Sequence, residues 1–197
     1  MELDLNQKIK RNAVPFGLTL GVISTVLGIL SFYVLLALRE QMLLMITIPF
    51  IFGILIPLIL LIIFVSKLRA KIGGFWNYRQ AVTGIFIMVI ISFGIQYLLK
   101  DILFATIIEP QMVEKTQIAM TAAVTATLEK SGAKQEEIDK KIDDMQKNFE
   151  LQKENTIGKR IQSIVISIIL LFAVSLIFAA FFKKEGHSYD PGLDPTV

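Results

Sequence analysis

The chain has no cysteine and one histidine, His187, in 197 residues. Without cysteine there is no disulfide, no thiolate nucleophile and no thiolate metal ligand. A single histidine in a Gly/Pro-containing tail does not supply a multi-histidine zinc site. Ser/His/Asp and Cys/His catalysis likewise lack their parts. Charge is missing from long stretches as well: residues 14–38, 43–65, 81–99 and 161–182 hold no Asp, Glu, Lys, Arg or His. The formal net charge of +3 is scattered, with no long basic block. Nucleic-acid binding needs such a footprint, so nucleic acid is not an expected partner.

Those charge-free runs are the main positive feature. Each is close to the ~20 residues with which a helix crosses ~30 Å of hydrocarbon. A helix on a soluble core shows a polar face, and these show none. The expectation is an all-α membrane protein: four transmembrane helices, with a helical hairpin inserted between spans three and four. Lys8, Lys10 and Arg11 lead the first run. That run exceeds the ~7–15-residue apolar region of a signal peptide, and no A-x-A site follows it, so it reads as a retained span.

Short loops set orientation through their Lys and Arg content. Residues 1–13 carry Lys8, Lys10 and Arg11, and loop 66–80 carries Lys67, Arg69, Lys71 and Arg79. Residues 183–197 begin with Lys183 and Lys184, whereas the turn between spans one and two has only Arg39. Four spans put the three richer segments on one side. Both termini are therefore expected in the cytoplasm and residues 100–160 outside it, in a multi-pass inner-membrane protein. Lys159 and Arg160, just before span four, pull weakly the other way. The tail, with its Asp-Pro pairs, reads as disordered.

Lipid tails are as apolar as leucine, so spans associate through close packing and interhelical hydrogen bonds. Gly17, Gly21 and Gly28, with Ser24, Thr25 and Ser31, form a stripe of small residues along span one. It suits a seam inside the bundle or a homodimer contact. Pro49, Gly53 and Pro57 mark span two. Each proline lacks an amide donor, so the carbonyls of Met45 and Gly53 lose their helical partners. The result is a kink, or a broken helix of the kind that lines transport sites. No ionisable group lies at depth, although proton relays and ion-coupled carriers usually need one.

In loop 66–80, Arg69, Lys71, Trp76 and Arg79 flank the Gly73-Gly74 turn. They are candidates for meeting anionic lipid headgroups, or for an interfacial aromatic belt with snorkelling cations. Membrane lipids are the expected partner either way. Farther on, Pro110 ends or resets a helix. A first outer helix, 111–130, puts Val113, Met120, Val124 and Leu128 on one face, and Ser131-Gly132 is its stop. A second, 135–154, aligns Ile138, Ile142, Met145 and Phe149. Its opposite face pairs Glu136/Lys140, Glu137/Lys141 and Asp143/Lys147 at i,i+4. These carboxylates read as a solvated face, and no calcium-loop pattern is present.

The layout resembles a family of uncharacterised bacterial membrane proteins, domain of unknown function 4199. The resemblance rests on the Lys/Arg-led first span and on Gly73-Gly74-Phe75-Trp76-Asn77-Tyr78-Arg79-Gln80-Ala81 entering span three. It also rests on the Ile107-Ile108-Glu109-Pro110 break, on Ser131-Gly132 before a Glu-rich helix at 135–145, and on Phe181-Phe182-Lys183-Lys184-Glu185 closing span four. It covers residues 8–185. The chain departs at Lys134, where a Ser or Asp cap suits a helix start. The resemblance implies a bacterial inner-membrane location and brings no activity or catalytic residue.

No catalytic, cofactor-binding or metal-binding residue is therefore expected, and the chain is not expected to be an enzyme. The leading expectation is a non-enzymatic membrane scaffold that meets a protein partner, or a second copy, through the hairpin. The alternative is a small oligomeric carrier or channel using the proline-kinked second span.

Overall fold

The computed structural model describes residues 2–38, 41–153 and 157–184. Arg39, His187 and the tail expected to be disordered from residue 185 onward lie outside the described residues. Six helices and no strand occur among the described residues: α1 Glu2–Ala37, α2 Met42–Lys71, α3 Tyr78–Ile108, α4 Met112–Lys130, α5 Gln135–Lys153 and α6 Ile157–Phe182. Four of them, α1, α2, α3 and α6, are long and apolar enough to cross a membrane. Hydrocarbon offers the backbone no partner, so an apolar run winds into a helix that pairs its own N–H and C=O groups. Leu43, Ile169 and Phe181 stand outward, 76%, 61% and 81% exposed. Lipid suits such a surface and water does not.

Helices α1 and α3 run parallel in a long seam. Gly17 faces Met88 and Ile91, Gly21 faces Ser92 and Ile95, and Gly28 faces Lys100. Helix α2 returns beside them, with Phe64 5.5 Å from Phe16 between ring centres. Helix α6 returns along α3, where Phe86 and Phe172 meet edge to face at 5.4 Å. Leu20, Leu61, Val65, Ile85 and Met88 fill the interior. Two buried hydroxyls bond within their own helices, Thr25 donating to Gly21 and Ser175 to Leu171, whereas the buried Ser24 hydroxyl has no partner among the described residues. Such back-bonding lets a hydroxyl sit among apolar side chains.

Two helices exceed the charge-free runs. Helix α1 begins at Glu2, so most of the segment before the first charge-free run is helical too. Its 36 residues span about 54 Å, well beyond the hydrocarbon thickness. Helix α3 does not stop at Leu99 but continues to Ile108, wound as a π-helix from Tyr97. There Glu109 N donates to Phe104 O, five residues back, at 2.7 Å. The extension has an apolar anchor. Phe104 is buried, with its ring 5.9 Å from Phe32 and 6.0 Å from Tyr33. The aliphatic stem of Lys100 lies over Gly28. Pro110 then disfavours helical backbone at Glu109 (φ −132°, ψ 69°), and the helix ends.

Helices α4 and α5 are joined through Gly132 at φ +75°, a conformation that suits glycine. Gly132 N donates to Glu129 O and Ala133 N to Leu128 O, both at 3.0 Å, a complete Schellman stop. Ile138 is buried where the two helices pack together. Helix α4 also rests on the start of α2 and on α1. Its buried residues are Ala119, Ala123 and Val124, whereas Val113 and Met120 stay exposed. The alanines, lacking bulk, let the backbones approach, so the contact face is rotated from the one that bulky apolar residues suggest.

Candidate functional site

The loop between α2 and α3 is built from glycine backbone and one buried ring. Gly73 (φ +112°) and Gly74 (φ +84°) reverse the chain, and Gly74 N donates to Arg69 O at 2.9 Å. A capping box then starts α3. Asn77 Oδ1 accepts from Gln80 N, and Gln80 Oε1 accepts from Asn77 N, both at 2.9 Å. The Asn77-x-x-Gln80 spacing is the sequence signal for this cap.

Trp76 is only 2% exposed. Its indole Nε1 donates to Phe182 O at 2.8 Å, and Arg69 donates to the same oxygen at 3.3 Å. Two backbone bonds between Trp76 and Lys184, at 2.9 and 3.1 Å, complete the contact. The last carbonyls of a helix lack intrahelical donors and carry its negative dipole end. A guanidinium and an indole N–H suit that place. The four headgroup candidates therefore do not form one site. Arg69 and Trp76 are engaged by the end of α6. The Lys71 ammonium sits 5.9 Å above the Phe16 ring. Arg79 is exposed on the first turn of α3.

The glycine candidates separate in a similar way. A Cβ at Gly17 would lie 2.7 Å from Met88 O, and one at Gly21 2.7 Å from Ile95 Cβ. Both glycines thus let α1 close on α3 within the chain. A Cβ at Gly28 would lie 3.4 Å from Lys100 Cδ and Nζ, an ordinary contact. In α2, Pro49 lies in the helical segment Met42–Phe50, a π-helical segment Ile51–Leu55 follows, and Pro57 sits in the first turn of the next. The widened turns hold Gly53, whose carbonyl loses its donor to Pro57; Met45, freed by Pro49, lies before them. Gly53, inside them, has open space around it.

Two pockets flank the bundle. One, of about 600 Å³, opens between the π-helical end of α3 and the start of α6, with Tyr97, Asp101, Arg160 and Ser163 among its walls. Ser163 donates to Lys159 O and Ser167 to Ser163 O. These hydroxyls are tied to backbone rather than to a base. The other pocket, of about 340 Å³, brings Asn6 and Lys10 of α1 against Asn77, Arg79, Gln80 and Thr83. Sequence reasoning had Lys10 as an orienting charge and Arg79 as an orienting charge and headgroup candidate, in separate segments. The α1–α3 seam is what joins them.

No curated protein and no solved structure matches this chain. A family model described as a protein of unknown function, DUF4199, matches residues 15–184. That span includes α1 from Pro15 onward, the other three apolar helices, the capped loop and the hairpin; the chain belongs to the DUF4199 family.

Proposed function

We propose that this is a non-enzymatic membrane protein that holds a protein partner through its α4–α5 hairpin, with the hairpin on the extracytoplasmic side of a bacterial inner membrane. One observation supports this above others. The hairpin is braced on the bundle through Ala119, Ala123 and Val124, yet Val113 and Met120 on the same helix remain 49% and 45% exposed. Seven residues apart, they share a face. They lie outside the charge-free runs, and with Ile118, 54% exposed on the same helix, they leave apolar surface that suits a protein contact. The test is cross-linking in native membranes followed by capture of the full chain. A partner is expected with the wild type and lost with both V113K/M120K and a deletion of 112–153. Recovery of the same partner without the hairpin would overturn the proposal.

A carrier role has its own support in the π-helical turns between Pro49 and Pro57, because such turns recur at functional sites. Against it, the interior between α1, α2 and α3 is filled by Leu20, Leu61, Phe64 and Met88. Solute flux into liposomes that is present with the wild type and absent with P49A/P57A would establish transport.

A further inference from the structure

We infer that the pocket between the start of α1 and the start of α3 binds a phosphate group. It is formed by Asn6, Lys10, Asn77, Arg79, Gln80 and Thr83. The inference is independent of the hairpin.

The hydrogen-bonding inventory decides the sign of the ligand. In the capping box both side-chain oxygens are already accepting, Asn77 Oδ1 from Gln80 N and Gln80 Oε1 from Asn77 N. Each oxygen keeps one lone pair, and each amide keeps its N–H donors. Gln80 is 92% buried, the complement of its 8% exposure, and its Nε2 has no acceptor among the described residues. The side chain that walls the pocket thus offers it an unpartnered donor. Thr83 has its hydroxyl proton on Arg79 O at 2.9 Å. Lys10 and Arg79 add two cations to its lining. The backbone N–H groups of Tyr78 and Arg79, in the first turn of α3, have no helical acceptor, and the dipole there is positive. Donors and positive charge dominate, so the fitting ligand is an oxyanion. A guanidinium fork matches phosphate geometry.

Position names the nearer source. The pocket sits at the end of the bundle where the charge-free run of α3 begins, at headgroup depth. A phosphodiester of an anionic phospholipid can reach it from the leaflet, and free phosphate can reach it from water.

The experiment uses the full chain in nanodiscs of equal phosphatidylglycerol and phosphatidylcholine, released and weighed by native mass spectrometry. Wild type is expected to retain phosphatidylglycerol in preference to phosphatidylcholine. Each of K10Q and R79Q is expected to weaken that preference about fivefold, the usual effect of one cation near a lipid surface. Arg11 is exposed and outside the pocket lining, so R11Q is the control for diffuse charge and is expected to change nothing. Helical circular dichroism verifies folding. A second arm adds inorganic phosphate. A phosphate adduct that displaces the lipid, and that is lost in R79Q, assigns the site to free phosphate. Equal retention of the two lipids with no phosphate adduct, or an equal loss in R11Q, would overturn the inference.

Discussion

The indole N–H of Trp76 donates to the carbonyl of Phe182 at 2.8 Å, across 106 positions of sequence. Arg69 reaches the same oxygen. Together they tie the loop between α2 and α3 to the end of α6. That tie matters because α6 packs mainly on one neighbour, α3, and leaves Ile161, Ile169, Leu170 and Phe181 exposed. Its place is set by one seam and one clasp.

Replacing Trp76 by Phe keeps most of the ring and removes the donor. Arg69 still holds the carbonyl, so the expected loss is the net value of one hydrogen bond, about 1 kcal/mol. Amide exchange at Trp76 and Lys184, which pair with each other, is then expected to speed up about fivefold. Exchange in the middle of α3 is expected to stay unchanged. A variant with wild-type rates at both amides would show that the indole contact does not hold α6.

The α1–α3 seam gives a sharper expectation. At Gly17 the obstacle to a Cβ is the backbone carbonyl of Met88, and at Gly21 it is Ile95 Cβ. Neither can swing aside as a flexible side-chain end would. Alanine at either position forces the helices apart, at a cost typical of overpacking, about 1–3 kcal/mol. Gly94 has open space around it, so Gly94→Ala is expected to be neutral or to gain up to ~1 kcal/mol in helix propensity. The unfolding midpoint in mixed micelles titrated with dodecyl sulfate measures all three. Equal effects at Gly17 and Gly94 would remove the special role of the seam.

What the sequence disclosed, and what it hid, follows the range of each interaction. The four long helices were legible because absence of charge over some twenty residues is a local property with one solvent that fits it. The Schellman stop at Gly132 and the break at Pro110 were legible for the same reason. Trp76 was not: an aromatic beside Arg79 at a span boundary looks interfacial, and its acceptor on Phe182 is remote in sequence. The extension of α3 was hidden because Lys100-Asp101 looks like a boundary. The helix continues because Phe104 finds Phe32 and Tyr33, rings on another helix. Lys10 and Arg79 belonged to two separate basic segments until the parallel packing of α1 and α3 brought them to one pocket.

Within the hairpin, Ile138 is the buried contact of α5, at 2% exposure. Ile138→Ala is expected to cost about 2–4 kcal/mol of local packing. Helix α4 keeps its own footing on α1 and α2 through Ala119 and Ala123. Limited proteolysis is therefore expected to cut first near residues 131–134, leaving α5 joined to α6 but undocked from α4, while the four long helices stay intact. Simultaneous loss of the whole fold would mean that the hairpin and the bundle unfold as one unit.

We propose a side of the membrane for each end from where the cations gather. Ile9 meets Leu68 and Trp76 around Gly84, and Trp76 pairs with Lys184. The basic residues near those four positions, Lys8, Lys10, Arg11, Lys67, Arg69, Lys71, Arg79, Lys183 and Lys184, therefore crowd one end of the bundle. Cations flanking short loops resist translocation, which favours the cytoplasm for that end. The other end holds the hairpin, whose acidic and basic residues nearly balance. Because the chain has no cysteine, single substitutions report without background. Lys134→Cys, exposed at the hairpin turn, is expected to react with a membrane-impermeant maleimide in intact cells. Lys71→Cys, exposed at the basic end, is expected to react only after the cells are opened. The reverse pattern would place the phosphate pocket outside and the hairpin in the cytoplasm. The search for a partner would then move to the other compartment.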